Sequence, residues 1–531
     1  MGSHAERKHS MPLDQAQLRA VRHRDGPMLV LAGPGSGKTT VIVNRLLFLM
    51  TECRVPPEEI LVITFTKAAA REMQERCQKK MTETAQAHGR CLNAGVPPAS
   101  ESSPASTAFP VFGTFHSYFF SVLRRYCGFS FKSLVQTKTQ YEILKKVLQD
   151  PQVPMIYTDD MAELLLSEIS RAKNSGGFPE ESGAAEVSGA KGCTAAKSKK
   201  ARVPAEEARL EQGLLSSIYR RYNAILRNMG LLDFDDMLLL CRNLFQERPE
   251  CLLEEQRRFC YLLVDEFQDI NALQYEILRL IAKPRNNLFI VGDDDQSIYG
   301  FRGSEPSIML GFAKDFPGCR TVLLSKNYRS GEAIVNAAAR LIAHNRTRFR
   351  KQITAGRELS ASVLFQTCTD EQEELRHLAD LVMSYQKRGI PSSEIAVLYR
   401  TNTEASAIKA GLKRAGITFS EAGKEKGGIR LATFHSSKGL EFTAVIITAA
   451  SEGITPHRKS DKGALLEEER RMFYVAATRA KQYLHILDTK SRYNKPQKRS
   501  RFADEMRGAQ RLCFRTEGRT DNGETKDTGG R

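Results

Sequence analysis

The apolar run "MLVL" (28–31) leads into "AGPGSGKTT", Ala32 to Thr40, which opens the helical pattern "VIVNRLLFLM". Strand, glycine-rich turn and helix in this order make a P-loop, because glycines let successive backbone N–H groups wrap phosphate oxygens at a helix N-terminus. Within it Gly33, Gly35, Ser36, Gly37 and Thr40 form the cradle, Lys38 reaches the terminal phosphates of ATP, and Thr39 offers its hydroxyl to Mg2+. The rest of the chain repeats that alternation of strand and helix.

Short β-branched runs recur as "PMLVLAG", "ILVITF", "YLLVDE" and "NLFIVGD", and later as "IAVLYR", "IRLATF", "AVIITAA" and "YLHILD", each separated by helical patterns. Strands apolar on both faces and spaced by helices predict parallel α/β sheets, one before about Leu323 and one after. Between Tyr141 and Tyr222 the strands vanish, which predicts an inserted helical subdomain. The expected organisation is a first sheet domain over 11–136 and 228–322, a helical subdomain over 137–227, a second sheet domain over 323–490, and a basic, disordered tail over 491–531. Gly/Ser/Pro-rich stretches near 87–108 and 174–206 read as loops.

The formal charge of +17, from 79 Lys+Arg against 62 Asp+Glu, suits a polyanion partner, although a merely basic surface has the same arithmetic. Eleven cysteines without a C-x-x-C pair or a Cys/His cluster support neither a zinc site nor an iron–sulfur cluster. No apolar run reaches the ~18 residues of a membrane span, and the polar start "MGSHAERKHS" lacks a signal-peptide core. The expectation is a cytoplasmic protein with no membrane partner.

Two further motifs carry chemistry. In "YLLVDEFQD" (261–269) an apolar strand ends in adjacent carboxylates, so Asp265 can hold Mg2+ while Glu266 polarises the attacking water. In "VGDDDQSIYGFRG" (291–303) Gln296 is suited to sensing a γ-phosphate, and Tyr299 and Phe301 are suited to stacking on bases, with a core role for both aromatics as the alternative.

Together with "LDQAQLRAV" (13–21), "TFTKAAAREM" (64–73), "GTFHS" (113–117), "LDFDDML" (232–238), "LLSKNYRS" (323–330), "LYRTN" (398–402), "TFHSSKGLEF" (433–442) and "EEERRMFYVAATRAK" (467–481), these motifs give the chain a resemblance to superfamily 1A DNA helicases of the UvrD/Rep/PcrA type. Their order matches from about residue 11 to 490. The resemblance implies two RecA-like P-loop domains with parallel sheets, of the α/β class, plus a helical insertion known as 1B. It also implies an ATP-dependent, DNA-stimulated motor moving 3′ to 5′ on single-stranded DNA and at single-strand/duplex junctions, in repair or replication.

Residue by residue, the resemblance implies that Gln17 reads the adenine edge, Tyr328 stacks on the base and Glu441 contacts the ribose. Arg329 and Arg479 would reach across from the second sheet domain to the γ-phosphate as arginine fingers. The DNA strand would be gripped by Phe65, Thr114, His116, Tyr299 and Phe301 on one side and by Arg400, Asn402 and His435 on the other. A buried structural role is the alternative for both His116 and His435. Relatives commonly have Trp where this chain has Phe301, and no Trp occurs anywhere in it.

One departure is larger. Relatives insert a second helical domain, 2B, just before the motif that begins here at Ile429, and "EAGKEKGG" (421–428) occupies that place. Eight residues cannot enclose a core, so the 2B insertion is expected to be absent. Translocation, with displacement of bound proteins, is then better supported than processive unwinding. A non-motor switch in which ATP only gates DNA affinity is the rival from another class.

Overall fold

The computed structural model describes residues 12–87, 109–150, 153, 158–174, 205–421 and 427–508. The loop stretches read at 87–108 and 174–206 fall almost wholly outside these residues, as do 422–426 of the "EAGKEKGG" connection.

Strands β1 (Met28–Ala32), β2 (Ile60–Thr64), β3 (Val111–Thr114), β4 (Tyr261–Val264), β5 (Leu288–Gly292) and β6 (Arg320–Leu324) form an all-parallel sheet in the order β3-β2-β4-β5-β1-β6. The four central strands are apolar on both faces, and each is buried along its whole length. Leu29, Leu61, Val264 and Ile290 pack on one face against Phe119, Leu238 and Ile277. On the other face Val30, Val62, Leu263 and Phe289 pack against Val41, Leu46 and Met73. Covered on both sides, the sheet exposes chemistry only at its ends, and the carboxyl ends of β1, β4 and β5 carry the P-loop, Asp265–Glu266 and Asp293–Gln296 side by side.

Two short strands, β7 (Lys326–Asn327) and β8 (Thr354–Ala355), pair in parallel where the chain crosses to a second unit. There β9 (Ser362–Cys368), β10 (Ile395–Tyr399), β11 (Phe419–Ser420), β12 (Ile429–Thr433), β13 (Phe442–Ile447) and β14 (Ala480–Thr489) make another parallel sheet, ordered β11-β12-β10-β13-β14-β9. It too has a core on each face. The helices Thr137–Leu148, Asp159–Asn174 and Ala205–Asn228 form a bundle around Leu144, Ile169, Ile218 and Tyr222. Its neck is closed by hydrogen bonds from Val135 N–H to the Leu232 carbonyl (2.9 Å) and from Leu232 N–H to the Ser133 carbonyl (2.8 Å). Lys173, fully buried, ties the bundle to the first unit through Asp233 (2.7 Å) and Asp236 (2.6 Å).

Two boundaries differ from the sequence reading. The first sheet runs on through Leu324, because β6 pairs in register with β1 as far as Ala32. The chain beyond Ser491 is not a disordered tail from its start: a hairpin at Ser491–Pro496 is followed by the helix Arg501–Arg507, whose Phe502, Ala503 and Met506 are fully buried. Three apolar residues among charged ones are too few for a periodicity signal, yet they fill a slot beside Phe473 (5.8 Å between the Phe473 and Phe502 ring centroids). Arg470 lies over the Phe502 ring (5.1 Å) and pairs with Glu505 (2.7 Å).

Phe502→Ala is expected to lower the unfolding free energy by about 3–5 kcal/mol, the usual range for deleting a buried aromatic ring. Urea denaturation is the measurement. A midpoint equal to wild type would mean that this helix lies outside the cooperative unit.

Candidate nucleotide site and nucleic-acid interface

The helix Lys38–Thr51 begins immediately after the P-loop, so its first-turn N–H groups, with Thr39 and Thr40, face the turn. Gly35 has φ +65°, and a Cβ there would lie 2.5 Å from Arg329 Cβ and 2.8 Å from Asn327 Oδ1. Only glycine allows the loop to lie this close to the second unit. Tyr328 N–H donates to the Gly35 carbonyl (2.9 Å), and its hydroxyl donates to Asp14 (2.7 Å). Gln17 is buried on the same side, donating from Nε2 to the Ser36 carbonyl (3.0 Å) and accepting from Asp14 N–H (3.0 Å). The structure thus gathers Gln17, Tyr328 and the stretch Gly33–Thr40 at one place.

Lys38 Nζ lies 3.3 Å from Glu266. Burial alone would raise the Glu266 carboxyl, but Lys38 and Lys438 outweigh it and bring it down to about 2. Asp265 moves the other way, pushed up to about 7 first by burial and then by the Glu266 charge. Glu266 adopts φ +51°, a left-handed conformation that costs a non-glycine residue of order 1 kcal/mol or more. Glu266 thus combines this backbone conformation with its ion pair to Lys38 at the end of β4. Thr39 and Asp265 supply hard oxygen donors of the kind Mg2+ prefers, and a divalent cation would bring the raised Asp265 carboxyl back to its charged form.

From the second unit, Arg479 is fully buried and donates to the Gln296 side-chain oxygen (3.4 Å) and the Leu440 carbonyl (3.1 Å). Burial, then Arg329, lowers its pKa to about 9. Arg329 pairs with Glu441 (2.8 Å), which also meets Lys481 (3.4 Å). Lys438, which sequence reasoning quoted within its motif without a role, pairs with Asp269 and donates to the Gln296 carbonyl (2.8 Å). Its signal is a lone cation in the dense polar knot "HSSKG". Lys351, also missed, lies among Asp293 (2.5 Å), Asp294 (2.5 Å) and Asp295 (2.9 Å), and nothing in "RFRKQIT" around it marks it out. Among the described residues these three aspartates are the one group whose carboxylates converge as metal ligands would, and the lysine ammonium fills that position.

The aromatic candidates also converge. Phe65 and Tyr299 stack at 4.9 Å with 19° between planes, Tyr299 meets Phe301 at 5.9 Å, and Phe301 meets His435 of the second unit edge-on at 5.6 Å. Phe301 is 55% exposed, which removes the core reading for it. Arg302 lies 5.5 Å from both the Tyr299 and the Phe301 ring. His435 is held down to about 4 by burial and then by Arg400, so it presents a neutral ring. His116 is likewise lowered by burial and then by Arg302, and it lines a cavity of about 370 Å3 with Phe65, Phe234 and Asn271. Three candidates are placed differently. Thr114 is buried, and its hydroxyl caps the helix Phe115–Cys127 by accepting from Ser117 N–H (3.2 Å). Arg400 is engaged in a two-pronged pair with Glu469 (2.6 and 3.0 Å), and Asn402 is exposed in the first turn of the helix Asn402–Arg414.

The UvrD/REP helicase N-terminal domain family matches residues 13–317, and the UvrD-like helicase C-terminal domain family matches 322–427 and 420–491. The chain is similar to YjcD of Bacillus subtilis (35% identical over 416 residues, 77% of this chain and 49% of that one). It is also similar to proteins named ATP-dependent DNA helicase PcrA from Staphylococcus epidermidis (31% over 418 residues, 78% and 51%) and Leuconostoc citreum (32% over 420 residues, 78% and 50%). The chain thus spans about half the length of these relatives. No described helix is long and apolar enough to cross a membrane. With the first match alone covering more than half of the chain and the motifs standing on paired parallel sheets, this chain belongs to the UvrD/REP helicase family.

Proposed function

We propose that the chain hydrolyses ATP in the cleft between its two sheet units and uses the resulting closure and opening to move along single-stranded DNA. In this reading the sheet units are motor domains of about 11–136 with 228–324 and about 325–508, and the bundle of 137–227 flanks the DNA path. The observation that carries it is a single buried loop: Gln296, facing Arg479 across the cleft, lies three residues before Tyr299 in the aromatic cluster. Nucleotide and strand would therefore act on the same few residues. The relatives named as ATP-dependent DNA helicases support DNA as the track, and the family resemblance supports 3′ to 5′ movement.

In the proposed chemistry the P-loop N–H groups and Lys38 bind the phosphates, which draws Lys38 away from Glu266. Relieved of its ion pair, the Glu266 carboxylate rises toward its ordinary value and can take the proton of the attacking water. Thr39 and Asp265 would hold Mg2+, whose charge offsets that of the phosphate oxygens. Arg329 and Arg479 reach the transferred phosphoryl group from the second unit, so turnover requires closure. Gln17 and Tyr328 bracket the adenine, and Glu441, once Arg329 swings to phosphate, is released toward the ribose. Bases stack among Phe65, Tyr299, Phe301 and His435, sequence-tolerantly because every base has a π-face. His116 and Arg302 line the neighbouring cavity, while Thr114, Arg400 and Asn402 take part through the DNA backbone. A second reading, translocation with little strand separation, is favoured by the eight-residue connection between β11 and β12, where relatives carry a further domain.

Glu266→Gln is expected to lower DNA-stimulated kcat by about 100-fold to 10,000-fold while nucleotide and DNA affinities hold; steady-state phosphate release alongside fluorescent-nucleotide titration reads both, and near-normal turnover removes Glu266 from its role. Arg329→Ala should slow turnover by about 100-fold or more, with single-strand affinity in the absence of nucleotide within about threefold of wild type. In strand displacement, 3′-tailed duplexes should be preferred over 5′-tailed ones, and a single strand should greatly raise ATP turnover. Turnover indifferent to DNA would favour the switch over the motor.

A further inference from the structure

The segment that follows the helix Glu332–Ile342 belongs by sequence to the second unit, yet it returns to lie on the first. Ile353 Cδ1 comes within 2.8 Å of where a Gly33 side chain would start, and β8 pairs with β7 at the crossing. Phe349 N–H donates to Asp294 (2.7 Å), and Arg348 grips Asp295 with two hydrogen bonds (2.7 and 2.6 Å). Lys351, 1% exposed, lies between all three aspartates. Burial works against its charge, but the three carboxylates outweigh it and hold the ammonium well above its ordinary range.

This arrangement reaches the nucleotide site through one side chain. Asp293 presents one oxygen to Lys351 (2.5 Å) and the other to the Gln296 amide nitrogen (2.6 Å). The opposite end of that amide, its oxygen, accepts from Arg479 (3.4 Å). An amide whose nitrogen is held by a carboxylate cannot flip without losing that hydrogen bond, so Asp293 decides which end of Gln296 faces the cleft. Asp293 is itself wholly buried, and among the described residues only Lys351 forms an ion pair with it. Without the lysine, the buried Asp293 carboxyl would favour its protonated form, which donates where it now accepts, so the Gln296 amide would turn its oxygen toward it.

We infer that Lys351 is a positioning residue for phosphoryl transfer, acting through Asp293 to hold the Gln296 amide toward the nucleotide. The inference rests on the reading of Gln296 as the γ-phosphate contact. Because Lys351 is anchored in the returning segment, the orientation of Gln296 depends on a residue of the other unit, close to the crossing.

The test uses the full chain with saturating oligo(dT), measuring kcat and KM for ATP, nucleotide-free single-strand affinity and thermal midpoint for Lys351→Met, Lys351→Met/Asp294→Asn and Gln296→Ala. Lys351→Met is expected to lose about tenfold or more in kcat, with KM for ATP and single-strand affinity within about threefold. The double variant removes one positive and one negative charge together, so it keeps the net charge of the cluster and should recover the thermal midpoint. It should stay slow by about tenfold, since Asp293 still lacks its partner. A double variant with wild-type kcat overturns the inference, as does a Lys351→Met protein that folds and turns over normally. Full turnover by Gln296→Ala overturns the reading of the site and the inference with it. A slow Gln296→Ala beside a fast double variant overturns the inference alone.

Discussion

The carboxyl ends of β4 and β5 place Asp265, Glu266, Asp269, Asp293, Asp294 and Asp295 together in a site largely closed to water. Like charges gathered this way repel at short range and cannot be fully hydrated, so their counter-ions decide whether the arrangement stands. Lys38 is the cation that the first unit itself contributes to Glu266. Arg348, Lys351 and Lys438 come from segments beyond the crossing. Each sheet is a closed parallel sandwich with a core on both faces, but the site between them is electrostatically complete only when both are present.

In the proposed motor, that division of charge lets catalysis and movement share one cleft. Ion pairs across a boundary are strong when dry and weak when wet, so opening the cleft would cost most where the cations are most buried. Lys351 is 1% exposed among buried carboxylates, whereas Arg329 is 16% exposed and paired with Glu441, itself 47% exposed. This difference in burial makes Arg329 the easier of the two to part from its carboxylate. A phosphate offered to Arg329 competes with an exposed carboxylate, which is an easier exchange than stripping a buried lysine. The aromatic cluster spans the same boundary through Phe301 and His435, so whatever alters the gap alters the space between those rings.

How much of this was legible in the sequence follows from the range of each interaction. Strands such as "LLV" in β4 and "IAVLY" in β10 are buried on both faces, and a continuous apolar run announces that locally. Edge strands do not: β3 has a glycine and only partial burial, and β6 begins with exposed Arg320 and Thr321. P-loop glycines and the Asp265–Glu266 pair were readable because backbone geometry and chain neighbours fix them. Lys351 and Lys173 were not, since their partners lie more than fifty residues away and a lysine among basic residues reads as surface. The pair of Arg400 with Glu469, sixty-nine residues on, is likewise one that no local pattern reveals. The final helix shows the converse, with Phe502 and Met506 given their meaning only by the slot beside Phe473.

The connection "EAGKEKGG" can be short for a reason that lies in the sheet. Parallel neighbours ordinarily need a crossover of about a dozen residues or more, because the chain must travel back the length of the strand. Here β11 is two residues long and pairs only Phe419 with Ile429 and Ser420 with Arg430, so the distance to be recovered is small. The return ends tightly: Gly428 has φ +89°, a Cβ on it would lie 2.2 Å from the Thr418 carbonyl oxygen, and Ile429 N–H bonds that same oxygen (3.0 Å). A larger residue would push β12 out of register with β11. Moreover, β11 is the outermost strand of its sheet, so the connection to β12 lies at an edge. The length of the connection at this edge can therefore vary while β12 keeps its pairing with β10.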